Sequence, residues 1–269
     1  MLEYLALPPI QRGFLALLTA GIAFPLIGVF VIRLNLITLR FMLMHGALLG
    51  SALAMGLQIS PLLGSLVVNL LLIFILIAVT RRGDIPTGYA TTFLMVVSIA
   101  LAVIVIYKAG VPAKDALSIL WGNIYAVRGT ELAINSGVGA AIILFILILR
   151  RRLTAVLFNY EVAATSGIPA ETYRRIILIG TGITIAISMR LVGALLLDSL
   201  VLLPAVSSLL VAGSTGAMFL VSSLVGLFSA LAGFILSLWF DIPVSAGVTL
   251  TSALVFGIMI LIKHFRSSL

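Results

Sequence analysis

The sequence predicts an all-α fold, a polytopic bundle of transmembrane helices. Of its 269 residues, 62% are apolar and only 9% are charged, whereas a soluble domain carries about 25% charged residues. A compact globule of this size could not hide so much apolar surface from water. In lipid, only helices and closed barrels satisfy the hydrogen bonds of the backbone. The apolar runs are continuous and about 20 residues long, which favours helices over the alternating strands of a barrel.

Polar breaks between the apolar runs predict about eight to ten spans. The first run is too long for the core of a signal peptide and no small-residue cleavage site follows it, so we interpret it as a retained span. The short apolar segment Asp115–Val127 is predicted to be a re-entrant or interfacial helix. The predicted spans are 13–32, 41–57, 61–80, 89–107, 133–149, 173–190, 193–212, 217–239 and 245–263.

The basic residues predict how the chain is oriented, because cytoplasmic loops of membrane proteins are enriched in Lys and Arg. If the loops 33–40, 81–88 and 150–175 and the C-terminal tail are cytoplasmic, they hold eleven of the sixteen basic residues. We therefore expect the N-terminus outside and the C-terminus inside. This distribution also explains the net charge of +8 without nucleic acid as a partner. The absence of cysteine excludes disulfides and thiolate metal sites.

The polar insertion 150–175 contains an amphipathic stretch that Gly167 and Pro169 end before the next span. A short cytoplasmic helix between spans could receive force from a soluble ATPase. A simple connector with a basic anchor explains the same pattern. The apolar side of the stretch carries Leu157, Phe158, Val162 and Ala163, opposite Asn159 and Glu161.

Enzymatic activity is not expected, and neither is a permanently bound cofactor. The chain contains no G-x-x-x-x-G-K-[ST] phosphate loop, no H-E-x-x-H pair and no G-x-S-x-G nucleophile elbow. The spans also have almost none of the ionisable groups that an intramembrane hydrolase needs. The chemistry therefore points away from catalysis.

Two ionisable residues inside the predicted spans are candidate metal ligands, His45 and Asp198. A charged group in hydrocarbon costs at least ~2.5–3.5 kcal/mol on insertion scales, so such residues usually face a bundle interior or a pathway. A neutral imidazole binds zinc, manganese or iron, and a carboxylate supplies a hard oxygen ligand. Structural readings stay open: a hydrogen-bonded histidine, and an aspartate tied to Arg190 or to a neighbouring helix.

Small residues and prolines mark the other positions of interest. Gly46 and Gly50 form a G-x-x-x-G unit, which lets helices approach closely in lipid. A proline removes a backbone donor and can kink or break its helix, and such interruptions near polar groups often mark a translocation route. The further small residues and prolines are Pro25, Pro204, Gly226, Ala230 and Gly233.

Several segments together resemble the zinc/manganese ABC permease family. They are Met44-His45-Gly46-Ala47-Leu48-Leu49-Gly50, Leu120-Trp121-Gly122 followed by Ala126-Val127, Val192-Gly193-Ala194-Leu195-Leu196 leading to Leu203-Pro204-Ala205, Asp241-Ile242-Pro243, and Phe158, Glu161, Ala163 and Gly167 of the polar insertion. Their order and spacing match over essentially the whole chain.

The resemblance implies a permease of the vitamin B12 and metal importer type, with residues 1–269 as a single transmembrane permease domain in the cell (inner) membrane. It implies a homodimer with a central pathway, a cytoplasmic ATP-binding subunit and an extracytoplasmic metal-binding protein. The family motif implies that zinc, manganese or iron binds transiently at His45, whereas Asp198 is a candidate ligand because of its position inside a span. The segments 155–172 and 212–216 become contacts for the ATPase. Coupling is expected at Phe158, Glu161, Ala163 and Gly167, and helix packing along the pathway at Gly46, Gly50, Gly193 and Pro204.

The sequence departs from the family pattern next to the histidine. Family members carry an acid four residues before it, and this chain has Phe41 there. Asp198 stands where relatives carry a small or apolar residue, and Ser245 and Ala246 depart from the glycine placement after the Asp-Pro turn, with Gly247 close by. A metal chelate or a vitamin B12-like compound is therefore an alternative substrate. An ion-gradient-driven carrier and a non-transporting scaffold are the alternatives of other classes.

Overall fold

The computed structural model of the chain describes residues 7–81, 85–110, 122 and 124–267. These residues form ten α-helices and one short 3-10 helix at Ile124–Ala126. The helices are α1 (Pro8–Arg33), α2 (Ile37–Gly56), α3 (Pro61–Thr80), α4 (Thr87–Lys108), α5 (Gly129–Phe158), α6 (Tyr160–Thr165), α7 (Ala170–Val192), α8 (Ala194–Val211), α9 (Thr215–Phe240) and α10 (Val244–Ser267). The predicted all-α fold is confirmed.

Eight of these helices are long and apolar enough to cross a membrane, which agrees with the predicted eight to ten spans. They are α1, α2, α3, α4, α5, α8, α9 and α10. The predicted span 173–190 is the helix α7, with 23 residues, but it is not among the eight. The predicted orientation with termini on opposite sides requires an odd number of crossings, so it requires α7 to cross as well.

The structure differs from the sequence prediction in the polar insertion. The span expected to end at 149 continues as one helix of 30 residues to Phe158, because no helix breaker stands between Arg150 and Phe158. Only the second half of the insertion forms a separate short helix, α6. The segment predicted to be re-entrant, Asp115–Val127, lies outside the described residues except for 122 and 124–127.

Both prolines that were expected to interrupt spans lie inside continuous helices. Pro25 is within α1 and Pro204 within α8. A proline leaves one carbonyl of the preceding turn without its usual donor, and neighbouring groups can satisfy it in a membrane helix. Neither helix is broken at its proline.

The chain divides into two compact units that interleave along the sequence. Unit 1 comprises Met1–Arg33, Asn123–Ala170 and Leu195–Leu269, and unit 2 comprises Leu34–Gly122 and Glu171–Ala194. The prediction of one domain over 1–269 stays a prediction.

Unit 1 is held together by glycine contacts and one buried amide. A Cβ on Gly21 would lie 2.8 Å from the Cβ of Ala230 and 2.9 Å from the carbonyl oxygen of Gly226, so α1 and α9 touch through their backbones. Asn135 of α5 donates from Nδ2 to the Oγ1 of Thr19, 2.7 Å away, and so ties α5 to α1. Close backbone approach at small residues is the usual way for helices to associate in lipid.

Unit 2 is built around α2, which contacts both α3 and α4. A Cβ on Gly50 would lie against the carbonyl oxygen of Gly64, so α2 and α3 also touch through their backbones. The hydroxyl of Thr91 on α4 donates to that of Thr38 on α2, 2.7 Å away. A Cβ on Gly182 of α7 would meet Ile73 of α3, which places α7 beside α3.

Candidate functional site

The helix α2 leaves one face half-exposed in an otherwise buried stretch. Phe41 and His45, one helical turn apart, are half-buried, whereas residues 42–44 and 46–52 are buried. The Nδ1 atom of His45 is itself buried and has no hydrogen-bond partner among the described residues. The imidazole therefore keeps a ring nitrogen available for an ion or a water molecule.

The acidic position of the family pattern is occupied here by a cation–aromatic pair. The guanidinium carbon of Arg40 lies 4.4 Å from the ring centroid of Phe41. This geometry suits a cation–π interaction. The turn before His45 therefore presents a half-exposed aromatic ring, with the buried guanidinium of Arg40 against it, where a carboxylate was expected.

Next to His45, the packing of α2 on α3 buries an asparagine. A Cβ on Gly46 would lie 2.5 Å from the Oδ1 atom of Asn69. Asn69 is 0% exposed, and neither its Oδ1 nor its Nδ2 atom has a hydrogen-bond partner among the described residues. A buried polar group without a partner costs about 1–3 kcal/mol, so Asn69 is not explained by packing alone.

Sequence reasoning missed Asn69, although a signal was present. It is the one amide in the apolar run Pro61–Thr80. Only ionisable groups inside the spans were considered as candidate ligands, and an uncharged amide is not one of them. The same applies to buried hydroxyls on one face of α7, Thr181 and Ser188, whose Oγ atoms likewise have no partner in the described part of the chain.

Asp198, the second predicted ligand, lies in α8 of unit 1, whereas His45 lies in unit 2. Asp198 is half-buried on a stripe of α8 that also contains Leu195 and Leu202, spaced as neighbours on one helix face. It has an interaction partner within the structure. Across the residues that the structure describes, no three His, Cys, Asp or Glu side chains come together as a metal-binding group.

The predicted packing residues of the late spans occupy tight positions. Gly193 has φ +81° and joins α7 to α8. A Cβ on Gly122, itself at φ +67°, would clash with the backbone of Gly193. Pro204 is buried in α8, one residue before Ala205, whose Cβ would lie 2.8 Å from a Cβ on Gly28 of α1.

The polar insertion presents two apolar side chains at the surface. Phe158 is 77% exposed and Val162 is 58% exposed, whereas Ala163 is buried. The Oδ1 of Asn159 accepts the backbone N–H of Val162 at 3.0 Å, which caps α6 at its N-terminus. Gly167 has φ +80° and ends the segment. Glu161 is exposed between the two apolar side chains.

The turn 212–216 is fixed by side chains of the neighbouring helices of unit 1. Ser214 caps α9, since its Oγ accepts the N–H of Ala217 at 3.1 Å. Arg33 at the end of α1 donates to the Oγ1 of Thr215, also at 3.1 Å. Both contacts order this turn. It lies beside the end of α1, on the side that the distribution of basic residues predicts to be cytoplasmic.

Eight helices long and apolar enough to cross a membrane, in a chain whose described residues are nearly all helical, define a multi-pass membrane protein. The chain belongs to the ABC 3 transport family, whose sequence profile matches residues 6–263. The resemblance drawn from the sequence motifs is thereby confirmed.

Two relatives and one solved structure show how far the similarity extends. The high-affinity zinc uptake system membrane protein ZnuB of Haemophilus influenzae is 31% identical, over 94% of this chain and 98% of its own length. The manganese import system permease protein ScaB of Streptococcus parasanguinis is 27% identical, over 96% and 95%. The structure of PsaBC from Streptococcus pneumoniae in complex with Fab matches with a TM-score of 0.84 and 27% identity, over 96% of this chain and 93% of that one.

Proposed function

We propose that this chain is the membrane-spanning subunit of an ABC importer that carries a divalent metal ion, zinc or manganese in the first place and iron as a further candidate, into the cell. One observation carries the proposal: the match to the ABC 3 transport family over residues 6–263, together with relatives named for zinc and manganese import. The metal is the transported substrate and binds only transiently.

The energy for transport comes from a separate ATP-binding subunit, because this chain has no phosphate loop. The segment 158–167 is the proposed docking surface for that subunit. Its exposed Phe158 and Val162 flank Glu161, and an apolar anchor with a charged neighbour is a common basis for an interface. An extracytoplasmic metal-binding protein delivers the ion, and two copies of the chain form the pathway.

The pathway is proposed to run past the half-exposed face of α2. His45 has a buried ring nitrogen without a partner among the described residues, and Asn69, whose amide oxygen is also unpartnered there, lies against the neighbouring residue Gly46. Asp198 is the proposed acid that takes over from the position of Phe41. Few ligands and weak binding suit an importer, because a tight closed site would hold the ion instead of releasing it.

The test is elemental analysis of metal-starved cells that express the complete importer, beside cells that lack only this chain. Selective accumulation of zinc or manganese that depends on the chain is the expected result. Equal metal contents in both strains, with the complex assembled, would contradict the proposal.

A second candidate is a permease for a metal chelate or a vitamin B12-like compound. It is favoured by the half-exposed ring of Phe41 at the family's acidic position, because an apolar pathway without a carboxylate suits an organic ligand better than a bare cation. Supplying the same cells with free and with chelated metal separates the two: uptake of the chelate alone would favour the second candidate.

A further inference from the structure

Unit 2 contains a cavity of about 180 Å³ where the end of α3 faces the start of α7. This volume is below the ~300–1,000 Å³ of sites for drug-sized ligands, so it suits a compact group. Each helix contributes one face, since the lining positions on each are spaced a helical turn apart. The lining residues are Leu76, Ile77, Thr80 and Arg81 of α3 and its C-cap, and Glu171, Arg174, Arg175 and Leu178 of α7.

Charge in this cavity is strongly one-sided. Three arginines face one glutamate, which leaves an excess of two positive charges. Arg81 is exposed and has no hydrogen-bond or ion-pair partner among the described residues. The unpaired guanidinium of Arg81 in a concave site favours an anion with several oxygens, because its N–H groups match carboxylate and phosphate geometry.

Glu171 positions the other two guanidinium groups and leaves most of their donors free. The Nε of Arg175 donates to the Oε1 of Glu171 at 2.9 Å, and Arg174 approaches the other carboxylate oxygen at 3.6 Å. Arg174 also donates to the Oγ1 of Thr87, 2.9 Å away. A guanidinium carries five donors, so each retains several for a ligand.

The cavity changes from polar to apolar with depth. The arginines stand at the ends of α3 and α7, where the basic loops predict the cytoplasmic surface. Ile77 and Leu178 lie about one helical turn further along their helices, toward the apolar middle of each. A group that binds here therefore presents its charge to the arginines and an apolar part to the spans.

We propose that this cavity binds the headgroup of an anionic phospholipid of the cytoplasmic leaflet, with the phosphodiester on Arg81, Arg174 and Arg175. Basic pockets between transmembrane helices on the cytoplasmic side are suited to lipid phosphates. The site anchors unit 2 to the inner leaflet and does not depend on which substrate the chain carries. A bound lipid holds the end of α3 against the start of α7.

The test measures phosphatidylglycerol binding to the purified full-length chain by native mass spectrometry in detergent, with phosphatidylcholine and inorganic phosphate as comparison ligands. The variant Arg81→Gln removes a guanidinium that has no partner in the described part of the chain, so folding is not at risk. Arg81→Lys keeps the charge. Arg151→Gln is the matched control, because Arg151 is an exposed arginine of unit 1 in the predicted cytoplasmic insertion.

We expect Arg81→Gln to weaken phosphatidylglycerol binding about fivefold, since one surface arginine contributes ~1 kcal/mol to anionic lipid binding. Arg81→Lys keeps the charge but not the forked donors, so it should weaken binding less than Arg81→Gln. Arg151→Gln should bind like the unmodified chain, and phosphatidylcholine should bind weakly throughout. Equal weakening in Arg81→Gln and Arg151→Gln would overturn the proposal in favour of general attraction to the leaflet. Unchanged lipid binding in Arg81→Gln would overturn it too, as would displacement of the lipid by inorganic phosphate.

Discussion

Among the described residues, each of the two units buries one asparagine, and the two side chains differ in their hydrogen bonds. Asn135 of unit 1 is 1% exposed. Its Nδ2 donates to both the Oγ1 of Thr19 and the carbonyl oxygen of Ala16, and only its Oδ1 has no partner in the described part of the chain. Asn69 of unit 2 is 0% exposed, and neither end of its amide has a partner in the described part of the chain. Asn135 ties two helices together, whereas Asn69 adds nothing that packing can account for.

The difference suggests where function is located. A buried polar group that is satisfied within the fold is a structural feature, and one that is not satisfied needs another explanation, such as an ion, a water molecule or a moving partner. Asn69 lies against Gly46, the neighbour of His45, whose Nδ1 is also unpartnered among the described residues. We therefore propose a structural role for the amide nitrogen of Asn135 and a role in substrate handling for His45 and Asn69.

The largest expected effect is on transport through His45. Replacing His45 with Ala removes the imidazole from the half-exposed face of α2. We expect metal uptake to fall by at least about 10–100-fold, the range for residues that only support a metal ligand. The matched control is His264→Ala, because His264 is the other histidine and is exposed near the end of α10. Uptake measured in cells with equal amounts of complex checks this. Equal uptake by both variants would remove His45 from the pathway.

The next effect concerns the packing that holds α2 on α3. A Cβ on Gly50 would meet the backbone carbonyl of Gly64, which cannot move as a side chain can. We expect Gly50→Ala to lower the free energy of unfolding by about 1–3 kcal/mol, the usual cost of overpacking. Gly180→Ala in the same unit is the control, since a Cβ there has no neighbour within 4 Å. Thermal unfolding in detergent measures the stability of both variants. Equal melting temperatures would show that α2 and α3 can move apart at little cost in free energy.

Replacing Asn69 with Leu separates substrate handling from stability. The change removes an unpartnered amide and supplies an apolar side chain of similar size, so we expect the melting temperature to stay the same or to rise. Uptake should fall about tenfold, at the lower end of the range for residues that support a metal site. If uptake is unchanged, Asn69 has no part in the pathway. If the chain is strongly destabilised, its amide has a structural role.

The smallest effect is expected from the corresponding substitution of the buried asparagine in unit 1. Asn135→Leu removes the bonds from Nδ2 to Thr19 and Ala16. Side-chain hydrogen bonds between membrane helices contribute about 0.6 kcal/mol on average and at most about 1.7 kcal/mol, so we expect a loss of that order. Uptake per folded complex should be unchanged. A loss of uptake without loss of stability in Asn135→Leu would contradict the structural role proposed for Asn135.

The sequence predicted most of the fold, because continuous apolar runs determine helical spans directly. The run Pro61–Thr80 was located to the residue, since a proline opens it and Arg81 follows it. The fifth predicted span ends at 149, but the helix continues to Phe158. The difference arises because the charged residues Arg150, Arg151 and Arg152 were interpreted as a loop. Arginine is a good helix former, so α5 continues through all three.

The candidate site was predictable only in part. His45 stood out in the sequence because a titratable group in an apolar span is expensive. Asn69 did not, because its importance depends on which atoms surround it, and the packing of Gly46 on α3 is a tertiary property. The arginine cavity could not be predicted from the sequence either. Arg81 and Arg174 belong to helices that are far apart in the chain and meet only in the fold.

The most direct test of the account is ATP-dependent uptake of radioactive zinc and manganese into proteoliposomes that contain the complete importer, with this chain either unmodified or as His45→Ala. The account predicts accumulation of at least one of the two metals by the unmodified chain, and its loss in His45→Ala while His264→Ala retains it. An intact complex that hydrolyses ATP and accumulates neither metal would contradict the account.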